Sequence, residues 1–139
     1  MNKINYGRVI LGGLVAGVVL NIGEFLLNAV VLADQMKAFN AAHNFKEPGA
    51  SFMVMAVALT FVLGIVLVFL YASIRPRFGA GVKTAIIASL FAWFCLYFYM
   101  GLFFTMLFEI PIGTCILTMV WGLVEYAVAA IAGAWLYKE

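Results

Sequence analysis

Residues 52–73 read FMVMAVALTFVLGIVLVFLYAS, and this stretch decides the fold class because it contains no charged residue. No charge falls anywhere between Pro48 and Ile74. A run of about 20 apolar residues is long enough to cross a bilayer as a helix. It is too long for a membrane β-strand of about 10 residues, and it lacks the alternation that a barrel requires. The stretch therefore predicts a transmembrane helix.

Three further stretches have the same character, at about residues 9–32, 84–108 and 112–137. Of the 139 residues, 67% are hydrophobic and 10% are charged, whereas about a quarter of the residues in soluble domains are charged. This composition excludes a soluble enzyme, and we expect no enzymatic activity. We expect an all-α integral membrane protein, a four-helix transmembrane bundle with antiparallel neighbours, forming one domain over residues 1–139.

Basic residues are shared unevenly between the two sides of this predicted bundle. Six lie on the side of the termini and two in the outer connector, residues 33–51. The two sets are Lys3, Arg8, Arg75, Arg77, Lys83 and Lys138 against Lys37 and Lys46. Because cytoplasmic segments carry the excess of Lys and Arg, we expect both termini in the cytoplasm. Residues 75–81 are then a cytoplasmic turn, and the expected location is a bacterial inner membrane.

The outer connector shows a short helical pattern of its own. Leu32, Met36, Phe39 and His43 fall at i, i+4, i+7 and i+11, which is the spacing of one helix face. Either the first helix continues past the bilayer or a short interfacial helix follows it. Ser51 is a predicted N-cap for the second span.

Polar residues in the spans fall on single helix faces. The first span carries Glu24 and the fourth carries Glu125, and each glutamate shares its face with small or polar residues. The candidate site residues are Glu24, Glu125, Asn21, Asn28, Trp93, Tyr97 and Trp121. The residues expected to pack helices closely are Gly13, Gly17, Gly122, Ala129 and Gly133, since small residues let helix backbones approach.

The two glutamates have no basic partner within the spans. An ionised acid at the bilayer centre costs about 2.5–3.5 kcal/mol on insertion scales. The carboxyls are therefore expected to be protonated, to be hydrogen-bonded to neighbouring side chains, or to hold a cation. We expect Glu24 and Glu125 to face each other across the interior with at least one of them protonated near neutral pH. A protonated glutamate that only links helices remains the structural alternative.

This combination of features resembles that of the small multidrug resistance exporters, which have four short spans, a glutamate in the first span, and Trp and Tyr in the third. Here those positions are Glu24, Trp93 and Tyr97. In that family two subunits share the first-span glutamate between protons and a lipophilic cation. This chain departs from the family in its longer outer connector and its second glutamate, Glu125. The resemblance is an analogy of architecture and assigns no role to any residue.

Two classes of function remain open from the sequence. The favoured one is a non-catalytic subunit or scaffold within a membrane assembly. The alternative is a small transporter or channel for a cation or proton, with a buried site at Glu24 and Glu125. The expected partners are the lipid bilayer and other membrane subunits or copies of this chain. No nucleic-acid partner, cofactor or metal site is expected, because the chain has no basic stripe and a single histidine, His43.

Overall fold

The computed structural model describes residues 3–138, which form helices and contain no strand. The helices in this range are α1 Tyr6–Val31, α2 Ala33–Ala42, α3 Ala50–Phe78, α4 Val82–Phe108 and α5 Ile112–Leu136. All except α2 are long and apolar enough to cross a membrane. At this level the expected fold class is confirmed: the described chain is all-helical, with four helices that could span a membrane.

The second long helix extends further than the apolar run alone indicates. α3 continues to Phe78 with Pro76 inside its last turns, so the turn predicted over residues 75–81 is wrong for its first four residues. Gly79, at φ 84°, ends the helix and donates its N–H to the Arg75 carbonyl over 2.9 Å, as glycine does at many helix ends. The predicted N-cap Ser51 is also wrong, because Gly49 precedes the first residue of α3.

Two of the long helices contain a π-helical segment. One is Leu27–Val31, at the end of α1, and the other is Phe94–Tyr99, in the middle of α4. Such segments widen the helix locally and are frequent at functional sites. The segment in α4 carries Tyr97, so the wider turn sets the direction of that side chain.

Small residues bring the helices into close contact over one half of the bundle. Each of the five predicted packing residues lies at a helix contact. Gly13 meets Ile65 and Gly17 meets Phe61 between α1 and α3, while Gly133 meets Val68 between α5 and α3. Gly122 lies against the Tyr97 ring, and Ala129 is fully buried. The core of this half consists of Val9, Ala16, Leu20, Leu67, Val68, Tyr71, Ala72, Ala85, Ala88, Tyr126, Ala129, Ala130, Ala134 and Tyr137.

The other half of the bundle is open. Among the described residues, neither 50–62 of α3 nor 94–108 of α4 contributes a buried side chain. In the most apolar 18-residue stretch of each helix, only 17% of the residues of α3 and 11% of those of α4 are buried. These two half-helices are therefore left without partners along most of their surface.

The outer connector forms a separate short helix followed by a stretch without regular secondary structure, residues 45–49. Of the predicted helical face, Met36 and Phe39 lie within α2, while Leu32 and His43 flank it. The end of α2 packs into an aromatic cluster with the end of α4. The centres of the Phe39, His43 and Phe45 rings each lie within 6.4 Å of the centre of the Phe108 ring. This cluster holds the connector against α4.

The two ends of the described chain meet at the packed half. The Asn5 N–H donates to the Tyr137 hydroxyl over 3.3 Å. The Arg75 guanidinium lies 5.5 Å from the centre of the Tyr137 ring, and Tyr71 meets that ring edge-on. The polar groups at this end therefore surround one tyrosine.

Candidate functional site

Glu125 is a buried carboxylic acid near the middle of a membrane helix. It is the fourteenth of the 25 residues of α5 and is 7% exposed. Its side chain lies against the backbone of α1 at Gly23. A Cβ atom added to Gly23 would lie 2.6 Å from Glu125 Cδ, so the absence of a side chain there makes room for the carboxyl.

Glu24 follows Gly23 and is held by two hydrogen bonds. The Tyr97 hydroxyl of α4 donates to Glu24 Oε1 over 2.6 Å. The Asn28 amide donates to Glu24 Oε2 over 2.9 Å from the next turn of α1. Glu24 is half-buried and Asn28 is exposed, so Glu24 lies nearer the edge of the bundle than Glu125.

Tyr97 connects this carboxyl to the other helices. Its ring packs against the backbone of α5 at Gly122, where an added Cβ would lie 2.6 Å from three ring atoms. The ring also meets Tyr126 edge-on, with 5.6 Å between the ring centres. The π-helical segment of α4 and the glycine of α5 together direct the tyrosine hydroxyl to α1.

The two carboxyls differ in their hydrogen bonding. Within residues 3–138, neither oxygen of Glu125 accepts a hydrogen bond, although both are buried. The indole N–H of Trp121, one turn earlier on α5, is also buried without an acceptor in this range. Trp121 and Tyr97 lie close enough to Glu125 to act as hydrogen-bond donors to its carboxyl, although neither forms a bond of good geometry, and Glu24 lies close enough to add a like charge. The site thus holds one paired carboxyl and one unpaired carboxyl.

The sequence around the two carboxyls contains acidic and neutral side chains but no basic ones. Between Val9 and Leu32, and between Thr84 and Tyr137, the sequence contains no Lys, Arg or His. A buried carboxylate with neither a counter-ion nor a hydrogen bond is very costly. Glu125 is therefore stable here as the neutral acid, or as a carboxylate with a bound positive group.

A multidentate metal site has no support in the described chain. No group of three or more His, Cys, Asp or Glu side chains in this range could hold a metal ion. The chemistry that two adjacent carboxyls and a tyrosine hydroxyl can perform is the binding and transfer of a proton.

The structure separates the seven candidate residues into two groups. Glu24, Glu125, Tyr97, Trp121 and Asn28 come together at the site. Asn21 and Trp93 do not, because their polar atoms bind backbone carbonyls elsewhere: the Asn21 amide donates to Gly17 over 2.9 Å, and the Trp93 indole donates to Met119 over 2.8 Å. The donor groups of these two side chains are therefore used by backbone carbonyls and not by the site.

Two residues of the site were not expected from the sequence. Gly23 provides the space for Glu125, and Tyr126 supports the ring of Tyr97. The signal for Gly23 was its position beside Glu24, since a small residue next to a buried acid permits a second helix to approach. Tyr126 gave no signal beyond its adjacency to Glu125.

Comparisons with protein-family models, with curated proteins and with solved structures find no match to this chain. The function must therefore be argued from the site itself.

Proposed function

We propose that the protein is a small proton-linked membrane carrier in which Glu24 and Glu125 share and exchange a proton. The observation that carries this proposal is the buried Glu125 carboxyl, whose two oxygens accept no hydrogen bond from the described residues although Glu24 lies close by. An acid used only to link helices would be expected to have a hydrogen-bond partner. The proposed activity involves no covalent chemistry.

The different surroundings of the two acids suit them to different states. Hydrogen-bond donors stabilise an ionised carboxylate, and Glu24 receives two of them, from Tyr97 and Asn28. Glu125 receives none in the described range and is better suited to hold the proton. Moving that proton to Glu24 or to a ligand would leave a charge on Glu125, and a bound positive or hydrogen-bonding group would then stabilise that charge.

The proposed orientation places both termini in the cytoplasm, with antiparallel neighbouring helices, in a bacterial inner membrane. The six-to-two bias of basic residues supports this orientation. The contact between Asn5 and Tyr137 supports a common side for the two ends. The pairs Gly13–Ile65 and Gly17–Phe61 run in opposite directions along α1 and α3, which supports the antiparallel arrangement.

Proton movement through reconstituted protein tests the proposal. Vesicles containing the protein and an internal pH dye are given a pH gradient, with potassium and valinomycin present to balance the charge. The wild-type protein should collapse the gradient faster than protein-free vesicles do. Glu125→Gln and Glu24→Gln should reduce the rate to the protein-free level, because Gln retains hydrogen bonding and loses the titratable proton.

Glu47→Gln is the matched control for this experiment. Glu47 is an exposed carboxyl of the outer connector, so its replacement should leave the rate unchanged. A wild-type rate equal to that of empty vesicles would contradict the proposal. So would an unchanged rate in both site variants.

A second role, as a subunit or scaffold that associates with copies of itself or with other membrane chains, is supported by the open half of the bundle. Membrane helices associate through close packing, yet most side chains of residues 50–62 and 94–108 are exposed in the described chain. Val54 is 71% exposed and Met106 is 82% exposed. Additional helices against these surfaces would complete the bundle.

Cysteine crosslinking tests this second role. Val54→Cys on a cysteine-free background should crosslink to a neighbouring chain in native membranes, because residue 54 lies on the unpacked surface. Trp135→Cys is the control, since Trp135 is even more exposed, at 85%, but lies at the packed half. The role as a subunit or scaffold would be contradicted if position 54 formed no crosslinks and the protein in nanodiscs had the mass of a monomer.

A further inference from the structure

A groove on the outside of the bundle leads to Glu125. It lies between α1 and α5 and has a volume of about 390 Å³, within the range of about 300–1,000 Å³ found for small-molecule sites. Its walls include Val19 and Ile22 of α1 and Val120 and Val124 of α5. Ile22, Val120 and Val124 are each more than half exposed, so the groove opens on the surface that faces lipid in a membrane.

The polar groups of this groove are limited to Trp121 and Glu125. Within the described chain, the indole N–H of Trp121 lacks an acceptor and both oxygens of Glu125 lack a donor. Glu125 is more than nine-tenths buried, with 7% of its surface exposed. The groove therefore passes an indole N–H and a carboxyl that have no partner among the described residues; their polar atoms are covered, so a bound molecule must part the apolar walls to reach them.

We propose that the groove binds a membrane-borne molecule with an apolar body and a hydroxyl head group. The hydroxyl oxygen accepts the hydrogen bond of the Trp121 indole, and its O–H donates to a carboxyl oxygen of Glu125. A hydroxyl supplies both functions on one atom, since it has one donor and two acceptor lone pairs. This ligand class rests on the proposed carrier function and names what that carrier would hold at Glu125.

Other head groups match the groove less completely. An ammonium group donates to Glu125 but has no lone pair for Trp121. An ether oxygen accepts from Trp121 or from the O–H of a protonated Glu125, but it has no hydrogen to donate, so the carbonyl oxygen of Glu125 stays without a partner. A hydrocarbon leaves both groups unpaired, which is costly in an apolar site. The hydroxyl is therefore favoured over a cation, an ether or an alkane of the same length.

Three probes with the same chain length test this preference: 1-decanol, decyl methyl ether and decylammonium. The protein, with ¹⁵N-labelled tryptophan, is placed in lipid nanodiscs, and the indole N–H resonances are followed by NMR. Trp121→Phe assigns the Trp121 signal. We expect 1-decanol to shift that signal saturably and to bind at least about fivefold more tightly than the other two probes, the value of one hydrogen bond. The indole of Trp93, already bonded to Met119, should not move.

Variants of the groove separate specific binding from partitioning into lipid. Val124→Phe fills the groove and should weaken 1-decanol binding about tenfold or more, because the apolar body of the probe loses its place. Val66→Phe, at a similarly exposed position of α3, is the control and should bind as the wild type does. Glu125→Leu should weaken binding at least about fivefold through loss of the acceptor.

Glu125→Gln distinguishes this inference from the proposed function. Its amide oxygen still accepts from a hydroxyl, so 1-decanol should bind within about threefold of wild type, while proton movement is lost. Saturable 1-decanol binding by a protein that moves no protons would refute the carrier function and leave the binding site standing. A Trp121 shift that does not saturate, equal binding of the three probes, or tighter binding of the ammonium would overturn the hydroxyl site.

Discussion

The contact between Gly122 and the Tyr97 ring gives a direct way to disturb the site from the neighbouring helix. In Gly122→Ala the new methyl group would lie 2.6 Å from three ring atoms. Carbon atoms in contact are normally about 3.5–4.0 Å apart, so the ring must retreat by roughly 1 Å. That movement displaces the Tyr97 hydroxyl from its position 2.6 Å from Glu24 Oε1, and we expect the misaligned hydrogen bond to be lost.

The expected change in stability follows from opposing effects. Replacing a helical glycine by alanine stabilises a helix by about 1 kcal/mol. Displacing a packed ring costs about 1–3 kcal/mol, and losing the hydrogen bond costs about 1 kcal/mol more. We expect Gly122→Ala to lower the free energy of unfolding by about 1–3 kcal/mol, measured by equilibrium unfolding in mixed micelles.

Two further variants show whether the loss passes through Tyr97. Gly113→Ala, on the same helix with no atom within 4 Å of its added Cβ, should be neutral or stabilising by up to about 1 kcal/mol. Tyr97→Phe should cost about 1 kcal/mol in the wild type and almost nothing in the Gly122→Ala background, because the bond is already broken. Two results together would refute the reasoning. They are a free energy of unfolding for Gly122→Ala equal to that of the wild type, and a loss of about 1 kcal/mol from Tyr97→Phe in the Gly122→Ala background.

Other predictions concern orientation, the role of Glu125 and the link between α4 and α5. Cysteine at position 40 should be labelled only from outside and cysteine at position 78 only from the cytoplasm; the reverse pattern would contradict the proposed orientation. Glu125→Gln should unfold like the wild type if proton exchange is its role, whereas loss of about 1 kcal/mol in Glu125→Ala with unimpaired proton movement would indicate a purely structural acid. Trp93→Phe should destabilise the protein by about 1 kcal/mol by removing the hydrogen bond to Met119, without changing proton movement; a transport defect would place Trp93 in the site.

The four long helices could be predicted from the sequence because hydropathy over about 20 residues depends on composition alone. Their ends could not, because they depend on local backbone geometry. α3 passes through Arg75 and Pro76 and ends at Gly79, which adopts a positive φ. Composition indicated a turn where the charges begin, but a helix can continue into polar surroundings until a residue such as Gly79 ends it.

The site could be predicted in part for a similar reason. Glu24, Glu125 and Tyr97 were identifiable because acids and central aromatic residues are unusual within spans. The pairing of Tyr97 with Glu24 depends on the π-helical segment Phe94–Tyr99, which changes the rotation of side chains along α4 in a way that helical spacing does not describe. The space at Gly23 likewise depends on how closely α1 and α5 approach each other.

Infrared spectroscopy of the carboxyl groups tests the central claim most directly. At neutral pH and without added ligand, the wild-type protein in nanodiscs should show the C=O stretch of a protonated carboxylic acid. That band should disappear in Glu125→Gln and remain in Glu47→Gln, because the proton belongs to the buried pair. A spectrum in which Glu24 and Glu125 are both ionised at neutral pH, with no bound cation, would contradict the account.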